Sequence, residues 1–240
     1  MKVLRGTTAV AVLTLVGCLV SISQASAKPA RSSAREYVYI THRAPAPPLG
    51  ACTAPSDSDS SSAFALAAWK ISSTLAVTLS TQNVPSSVGS SGFQTALSGA
   101  IGAWEATDVP SSAFGSVTAS SIRPRQRLDG QNIVGFGHIG SAVGSTRFWV
   151  NTSTGSVIEF DTLLNSNYPW STASHGNIEA CSGTPGAFDV QAVVTHELGH
   201  PVGLEHFDND VQTMYPFVGT GETRKRTLAA GDTAGANTKY

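Results

Sequence analysis

The segment from His196 to His206 reads His-Glu-Leu-Gly-His-Pro-Val-Gly-Leu-Glu-His and has the spacing of a catalytic zinc site. On a helix, His196 and His200 are four residues apart, so both imidazoles project from one face. A catalytic zinc takes three protein ligands and leaves its fourth position to water. Gly203 can adopt the left-handed conformation that ends a helix, which lets the chain turn back and present His206 as the third ligand. Glu197 is then placed as a general base beside the metal.

Pro201 directly follows the second candidate ligand, His200. Proline cannot donate a helical hydrogen bond, its ring crowds the carbonyl four residues earlier, and it disfavours the helical conformation of the preceding residue. Two interpretations follow. We expect the helix to be in its last turn, so that a slight kink is absorbed. The alternative is that His200 and Glu197 are misaligned, and that the chain is a catalytically impaired zinc-binding surface or adhesive protein.

Met214 follows in the sequence Thr213-Met214-Tyr215-Pro216. A methionine after an HExxHxxGxxH motif is a signature of the metzincin proteases, in which a turn places it beneath the metal site. The segment His196–His206 with Met214 therefore resembles the matrixin branch of the metzincins. Because Pro216 occupies the position where other branches carry a tyrosine that can reach zinc, we do not expect Tyr215 to be a ligand.

The resemblance extends upstream and covers roughly residues 69–240. The segment Trp69–Leu79 resembles the first strand of a matrixin catalytic domain, Phe93–Trp104 its first helix, and Ile158–Asn165 part of the region that borders the cleft. It implies an α+β fold, in which a twisted mixed β-sheet packs with three helices. It also implies a zinc metalloendopeptidase with one catalytic Zn²⁺, whose protein or peptide substrate lies extended along the edge strand of the cleft.

The first 27 residues predict a signal peptide. Lys2 and Arg5 precede an apolar run, and Ala25-Ser26-Ala27 fits a cleavage site. The run is too short to span a bilayer, so we expect no transmembrane segment. We expect simple secretion; the alternative is a lipid anchor on Cys18, because residues 15–18 resemble a lipoprotein cleavage box.

Residues 28–62 are rich in Pro and Ser and predict an extended arm or short propeptide, followed by one catalytic domain over residues 63–240. The net charge is −1 and only 13% of the residues are charged. We therefore expect no nucleic-acid partner, and we interpret the basic run Arg224–Arg226 as a solvated turn. The oligomeric state stays open.

Two cysteines follow the predicted signal peptide, Cys52 and Cys181. An even number of cysteines in an exported chain favours a disulfide between them. The alternative is that Cys52 covers the zinc as a latency thiolate, as in some matrixin propeptides. The switch motif of the family is absent around Cys52, so we expect the disulfide.

Other patterns predict local structure. Ser91–Gln94 predicts a capping box. It precedes a helix whose buried face comprises Phe93, Leu97, Ala100, Ile101 and Trp104. Two strands, Gln131–Ile139 and Arg147–Phe160, are expected, the second broken into a hairpin by a turn at Asn151–Gly155.

Near the candidate zinc site, Asp189 is expected to cap the catalytic helix. We expect a weakly docked terminal helix over residues 227–240, because Thr233, Ala236 and Lys239 occupy apolar positions of the family. The loop Asp208–Asp210 is a weak candidate for Ca²⁺. The remaining histidines, His42, His138 and His175, have no partner at ligand spacing and predict no second metal site.

Overall fold

The computed structural model of the chain describes residues 33–45, 61–173 and 181–240. The predicted signal peptide with Cys18, most of the Pro/Ser-rich arm with Cys52, and His175 lie outside these ranges. Within the described ranges, none of the helices combines the length and the apolar composition needed to cross a membrane.

The fold combines a seven-stranded mixed sheet, a two-stranded sheet and three α-helices, as the α+β prediction requires. In chain order the elements are β1 Ala34–Arg43, β2 Leu75–Ser80, α1 Gly89–Glu105, β3 Phe114–Ser120, β4 Asn132–Gly137, β5 Gly144–Asn151, β6 Ser156–Asn165, β7 Trp170–Ser171, β8 Phe188–Asp189, α2 Val190–Val202, β9 Phe217–Val218 and α3 Ala230–Lys239. The large sheet has the order β3-β2-β4-β6-β5-β1-β9, and β7 pairs with β8.

The strands from β3 to β6 in the sheet order are parallel to one another, and β5 runs antiparallel to both of its neighbours, β6 and β1. β2 pairs in parallel with β3 and β4, and β4 pairs in parallel with β6. β5 and β6 form the antiparallel hairpin that the turn residues predict, with Gly155 at a φ of 68° in the turn. A positive φ is accessible to glycine at little cost, which explains the position of the turn.

Helix α1 buries the face predicted for it. Phe93, Leu97, Ala100, Ile101 and Trp104 are all buried. The predicted capping box at Ser91–Gln94 is wrong, because α1 already begins at Gly89 and its first turn has no side-chain cap. The carbonyl of Pro85 accepts hydrogen bonds from the N–H groups of Val88 and Gly89, both at 2.9 Å, and this turn makes Val88 the N-cap, three residues before Ser91.

Helix α3 docks firmly, so the prediction of weak docking is wrong. Small residues replace apolar ones and let the helix approach the rest of the chain: a Cβ added to Gly235 would lie 3.0 Å from a methyl of Leu204. At the end of the helix, the Tyr240 hydroxyl donates to the carbonyl of Val202 and accepts from the N–H of Ile71, both at 2.9 Å. Close backbone approach and hydrogen bonds thus supply the contact that the sequence pattern lacked.

Part of the N-terminal arm belongs to the large sheet. Strand β1 pairs antiparallel with β5 over eight positions, from Ala34 opposite Asn151 to Thr41 opposite Gly144. It also pairs in parallel with β9 through His42 and Arg43. Because β1 lies between β5 and β9, this segment crosses the face of the domain beside α2.

Candidate active site

Helix α2 carries two of the candidate ligands and begins at the predicted cap. The Asp189 carboxylate accepts a 2.8 Å hydrogen bond from the N–H of Ala192. The same carboxylate forms a two-point ion pair with the guanidinium of Arg226, whose Nε lies 2.8 Å from Oδ1. The interpretation of Arg224–Arg226 as a solvated turn is therefore wrong, because Arg226 and Lys225 are buried and Arg226 ties this turn to the start of α2.

Pro201 does not interrupt α2, which continues to Val202. Gly203 then adopts a left-handed conformation with φ 117° and ψ 26°. The N–H of Leu204 donates to the carbonyl of Gly199 at 3.0 Å, and the indole N–H of Trp69 donates to the carbonyl of His200 at 2.8 Å. The proline therefore lies in the last turn of α2. The carbonyls of Gly199 and His200, just before it, accept hydrogen bonds from Leu204 and Trp69, which lie outside the helix.

The imidazoles of His196, His200 and His206 converge on one point. One ligand atom from each lies within 4.8 Å of the others, and Nε2 of His196 is 3.1 Å from Nε2 of His206. Backbone carbonyls orient the two helical rings: Nδ1 of His196 is 2.5 Å from the carbonyl of Thr213, and Nδ1 of His200 is 3.0 Å from that of Leu204. Donation from Nδ1 leaves Nε2 as the lone-pair nitrogen that faces the cluster.

Two observations indicate that this cluster fits a zinc ion. Nε2 of His200 is buried and has no hydrogen-bond partner within the described residues, which is costly unless a ligand compensates it. Burial also lowers the pKa values of His196 and His200 well below the usual value, and it lowers the pKa of His206 to about 4. The three imidazoles are therefore neutral near pH 7, as metal ligands must be.

Glu197 lies next to this cluster and is completely buried. Its Oε1 accepts a 2.6 Å hydrogen bond from the hydroxyl of Thr41 in β1, whereas Oε2 has no partner within the described residues. Burial raises the pKa of Glu197 to about 7, although hydrogen bonding from Thr41 acts to lower it. A carboxyl group with a pKa near neutrality can both accept and release a proton.

Met214 is buried beneath α2 and explains a glycine whose role the sequence reasoning missed. A Cβ on Gly199 would collide with the sulfur of Met214 and lie 2.7 Å from Cζ2 of Trp104. Gly199 therefore allows the helix that carries the histidines to approach the methionine and α1. The only sequence signal was its place inside the motif between two ligands.

Two charged residues that sequence reasoning did not select hold the turn around Met214. The Asp232 carboxylate accepts from the N–H groups of Thr213 and Met214 at 2.7 and 3.0 Å. Lys225 is fully buried, and its Nζ donates to the carbonyls of Thr213, at 3.0 Å, and Tyr215. Burial lowers the pKa of Lys225 to about 8. Neither residue has a local pattern that would have identified it.

The other histidines are not part of the three-histidine group. His42 is exposed in β1 beside Phe217 and is near enough to His206 to help lower the pKa of His206. Nδ1 of His138 is 2.7 Å from Nδ2 of Asn167, and His175 lies outside the described ranges. Across the described part of the chain, the three-histidine group is the only cluster of three or more His, Cys, Asp or Glu that could hold a metal. Calcium at Asp208–Asp210 and the Cys52–Cys181 disulfide stay predictions.

Comparison with known proteins agrees with this geometry. No curated protein sequence matches the chain significantly. The family model described as Matrixin, a peptidase family, matches residues 68–240, which include all three helices, the three histidines, Glu197 and Met214. This match spans well over half of the chain, and the chain therefore belongs to the matrixin family.

Proposed function

We propose that the protein is a zinc-dependent endopeptidase that hydrolyses peptide bonds in protein or peptide substrates. The observation that carries this proposal is the convergence of the His196, His200 and His206 imidazoles beside the buried carboxylate of Glu197. Membership of a peptidase family supports the same reaction class.

Each residue of the site has a separate role in this proposal. His196, His200 and His206 would hold the zinc, which when bound polarises a substrate carbonyl and activates water. Glu197 takes a proton from the attacking water and returns it to the amine that leaves. Met214 forms the floor beneath the ligands and takes no part in the chemistry, since its sulfur packs against Gly199.

The substrate would bind as an extended strand between β5 and β9. Backbone groups of an exposed strand give affinity for any extended peptide, and side-chain pockets add selectivity. In the described structure β1 itself fills this position, which supports the view that the groove accepts an extended chain.

Casein zymography on the zinc-loaded protein tests the proposed reaction. We expect cleavage that a zinc chelator abolishes and that Glu197→Ala abolishes although this variant still binds one zinc per chain. If a variant with an opened groove bound one zinc per chain but cleaved none of a range of peptides, the result would instead support a zinc-binding protein without catalytic activity. If the chain took up no zinc at all, both functions would be rejected.

We also propose that the protein is exported through residues 1–27, and that the arm before residue 63 acts as a short propeptide. The membership in a family of mostly extracellular peptidases supports export. Sequencing the N-terminus of the protein recovered from the medium tests this. In the catalytically inactive Glu197→Ala variant a start near residue 28 is expected, whereas a lipid-modified Cys18 would show anchoring.

A further inference from the structure

Strand β1 is held along both edges by main-chain hydrogen bonds. On the β5 side, the carbonyl of Thr41 accepts a 2.9 Å bond from the N–H of Val143. On the β9 side, the N–H of His42 donates to the carbonyl of Pro216 and that of Ala44 to the carbonyl of Val218, both at 2.8 Å. An extended peptide recognised by strand addition is bound in this manner, independently of its sequence.

The strand also crosses the catalytic residues. The ring of Tyr39 stacks on that of His200, with 4.0 Å between centroids and 19° between planes, and contacts His206 edge-on at 5.6 Å. Two residues later, the hydroxyl of Thr41 lies 2.6 Å from Glu197. Two peptide bonds join Tyr39 to Thr41 and lie between the candidate ligands and the candidate general base. Of these, the Ile40–Thr41 bond is the one next to Glu197, because Thr41 is buried against this carboxylate whereas the Ile40 side chain faces solvent.

The side chains of β1 alternate between the groove and solvent. Thr41 is completely buried, and Tyr37 and Tyr39 are partly buried, whereas Val38 and Ile40 are 44% and 38% exposed. The ring of Tyr37 stacks on that of Phe148 of β5 with 5.6 Å between centroids, and it packs at a tilt of 43° against Trp69 with 4.2 Å between centroids. The side chains of Tyr37, Tyr39 and Thr41 thus lie in the groove, whereas those of Val38 and Ile40 face solvent and contribute little to the hydrophobic core.

We propose that β1 is the first substrate of this enzyme, and that the chain hydrolyses its own Ile40–Thr41 bond. The inference rests on the proposed function and names a substrate for it. A water oxygen bonds to the carbonyl carbon of Ile40, the bond from that carbon to the nitrogen of Thr41 breaks, and Glu197 transfers the proton of the water to this nitrogen. The products are a carboxylate on Ile40 and a free amine on Thr41, and one water is consumed.

The cut changes the protein around β5. Residues 34–40 lose their covalent link to the domain and leave the strand pairs that they form with Ser145–Asn151. The groove then becomes open to other extended chains on the side of Tyr39. Before the cut, β1 keeps the enzyme latent without any ligand to the metal from the arm.

The first test follows the full-length chain, purified with chelator and then supplied with Zn²⁺, by intact-mass measurement. We expect a fragment that begins at Thr41, formed at an initial rate that does not change on tenfold dilution. Glu197→Ala and Thr41→Pro, which removes the N–H of the scissile amide, should stay intact at this bond. Val38→Thr, a substitution at a solvent-facing position of the same strand, is the control and should still be cut.

A second test does not depend on activity. In the metal-free Glu197→Ala chain, the amides of Ser145–Asn151 that point toward β1 should exchange slowly, because β1 covers this edge of β5. In the wild type these amides should exchange faster after zinc is added and the cut has occurred. Fast exchange in the uncut Glu197→Ala chain, or a cut elsewhere in residues 33–45, would overturn the proposal, as would an initial rate proportional to protein concentration.

A Tyr37→Pro/Tyr39→Pro variant separates this proposal from the proposed function, because it disrupts the pairing of β1 and opens the groove. If this variant digests casein while the wild type keeps an intact Ile40–Thr41 bond, the enzyme stands and self-cleavage is overturned, and β1 is then a stable inhibitory strand. If the opened variant binds zinc but digests nothing, the proposed function itself fails.

Discussion

The hydroxyl of Thr41 donates a 2.6 Å hydrogen bond to the carboxylate of Glu197, although 156 positions separate the two residues in the chain. This contact joins the N-terminal arm to the residue expected to act as the general base. It satisfies one oxygen of a buried carboxylate and leaves the other without a partner in the described chain. The arm therefore lies within the candidate active site in this structure.

Gly199→Ala should destabilise the protein by about 1–3 kcal/mol, because the added methyl group collides with Met214 and Trp104 in a closely packed region. Gly102→Ala in α1 is the matched control, since a Cβ there meets nothing within 4 Å. The control should be neutral or stabilising by up to about 1 kcal/mol. Urea denaturation of both variants measures the difference, and equal midpoints would contradict the packing argument.

Asp232→Asn should lower the free energy of unfolding by about 2–3 kcal/mol. The carboxylate accepts from three backbone N–H groups, those of Thr213, Met214 and Ala229, and an amide side chain offers only one acceptor oxygen. Asp108→Asn, the same exchange at an exposed position, should change stability by less than about 0.5 kcal/mol. Thermal unfolding of the wild type and the two variants measures this difference. Equal stability of Asp232→Asn and Asp108→Asn would contradict the prediction.

Pro201→Ala should change kcat/KM by less than about fivefold, which is under about 1 kcal/mol. The reason is that α2 already passes through Pro201 to Val202 and closes at Gly203, so the catalytic turn has little distortion to relieve. Steady-state kinetics on the processed enzyme measures the effect. A gain of tenfold or more would indicate that the proline misaligns His200 and Glu197.

Lys225→Met should show a pH-dependent change in stability relative to the wild type. The folded-state pKa of Lys225 is about 8, below its usual value of 10.5, so below pH 8 the lysine is charged in both states and the burial penalty is complete. Between about pH 8 and 10.5 the unfolded chain binds more protons, and the wild type becomes more stable with rising pH by up to about 1.4 kcal/mol per unit. Urea midpoints of both proteins at pH 7.5, 8.5 and 9.5 test this, and a constant difference would contradict it.

The spacing of short-range motifs predicted much of the site. The three histidines, Glu197 and Gly203 lie within one helix and the turn that follows it, where the helical repeat fixes which side chains share a face. The buried stripe of α1 was predictable for the same reason. The capping box at Ser91 failed because a competing turn at Pro85 starts the helix earlier, and several short patterns can compete at a helix end.

The sequence by itself determined the candidate ligands, the candidate general base and the resemblance to the matrixins, because these depend on separations of a few residues along a helix and the turn after it. Only the tertiary structure decided that β1 lies in the groove, that Lys225 and Asp232 hold the turn at Met214, and that Gly199 is needed for close packing. Each of these joins segments from different elements. The free energy of such contacts depends on burial and shape, and neither is encoded in local spacing.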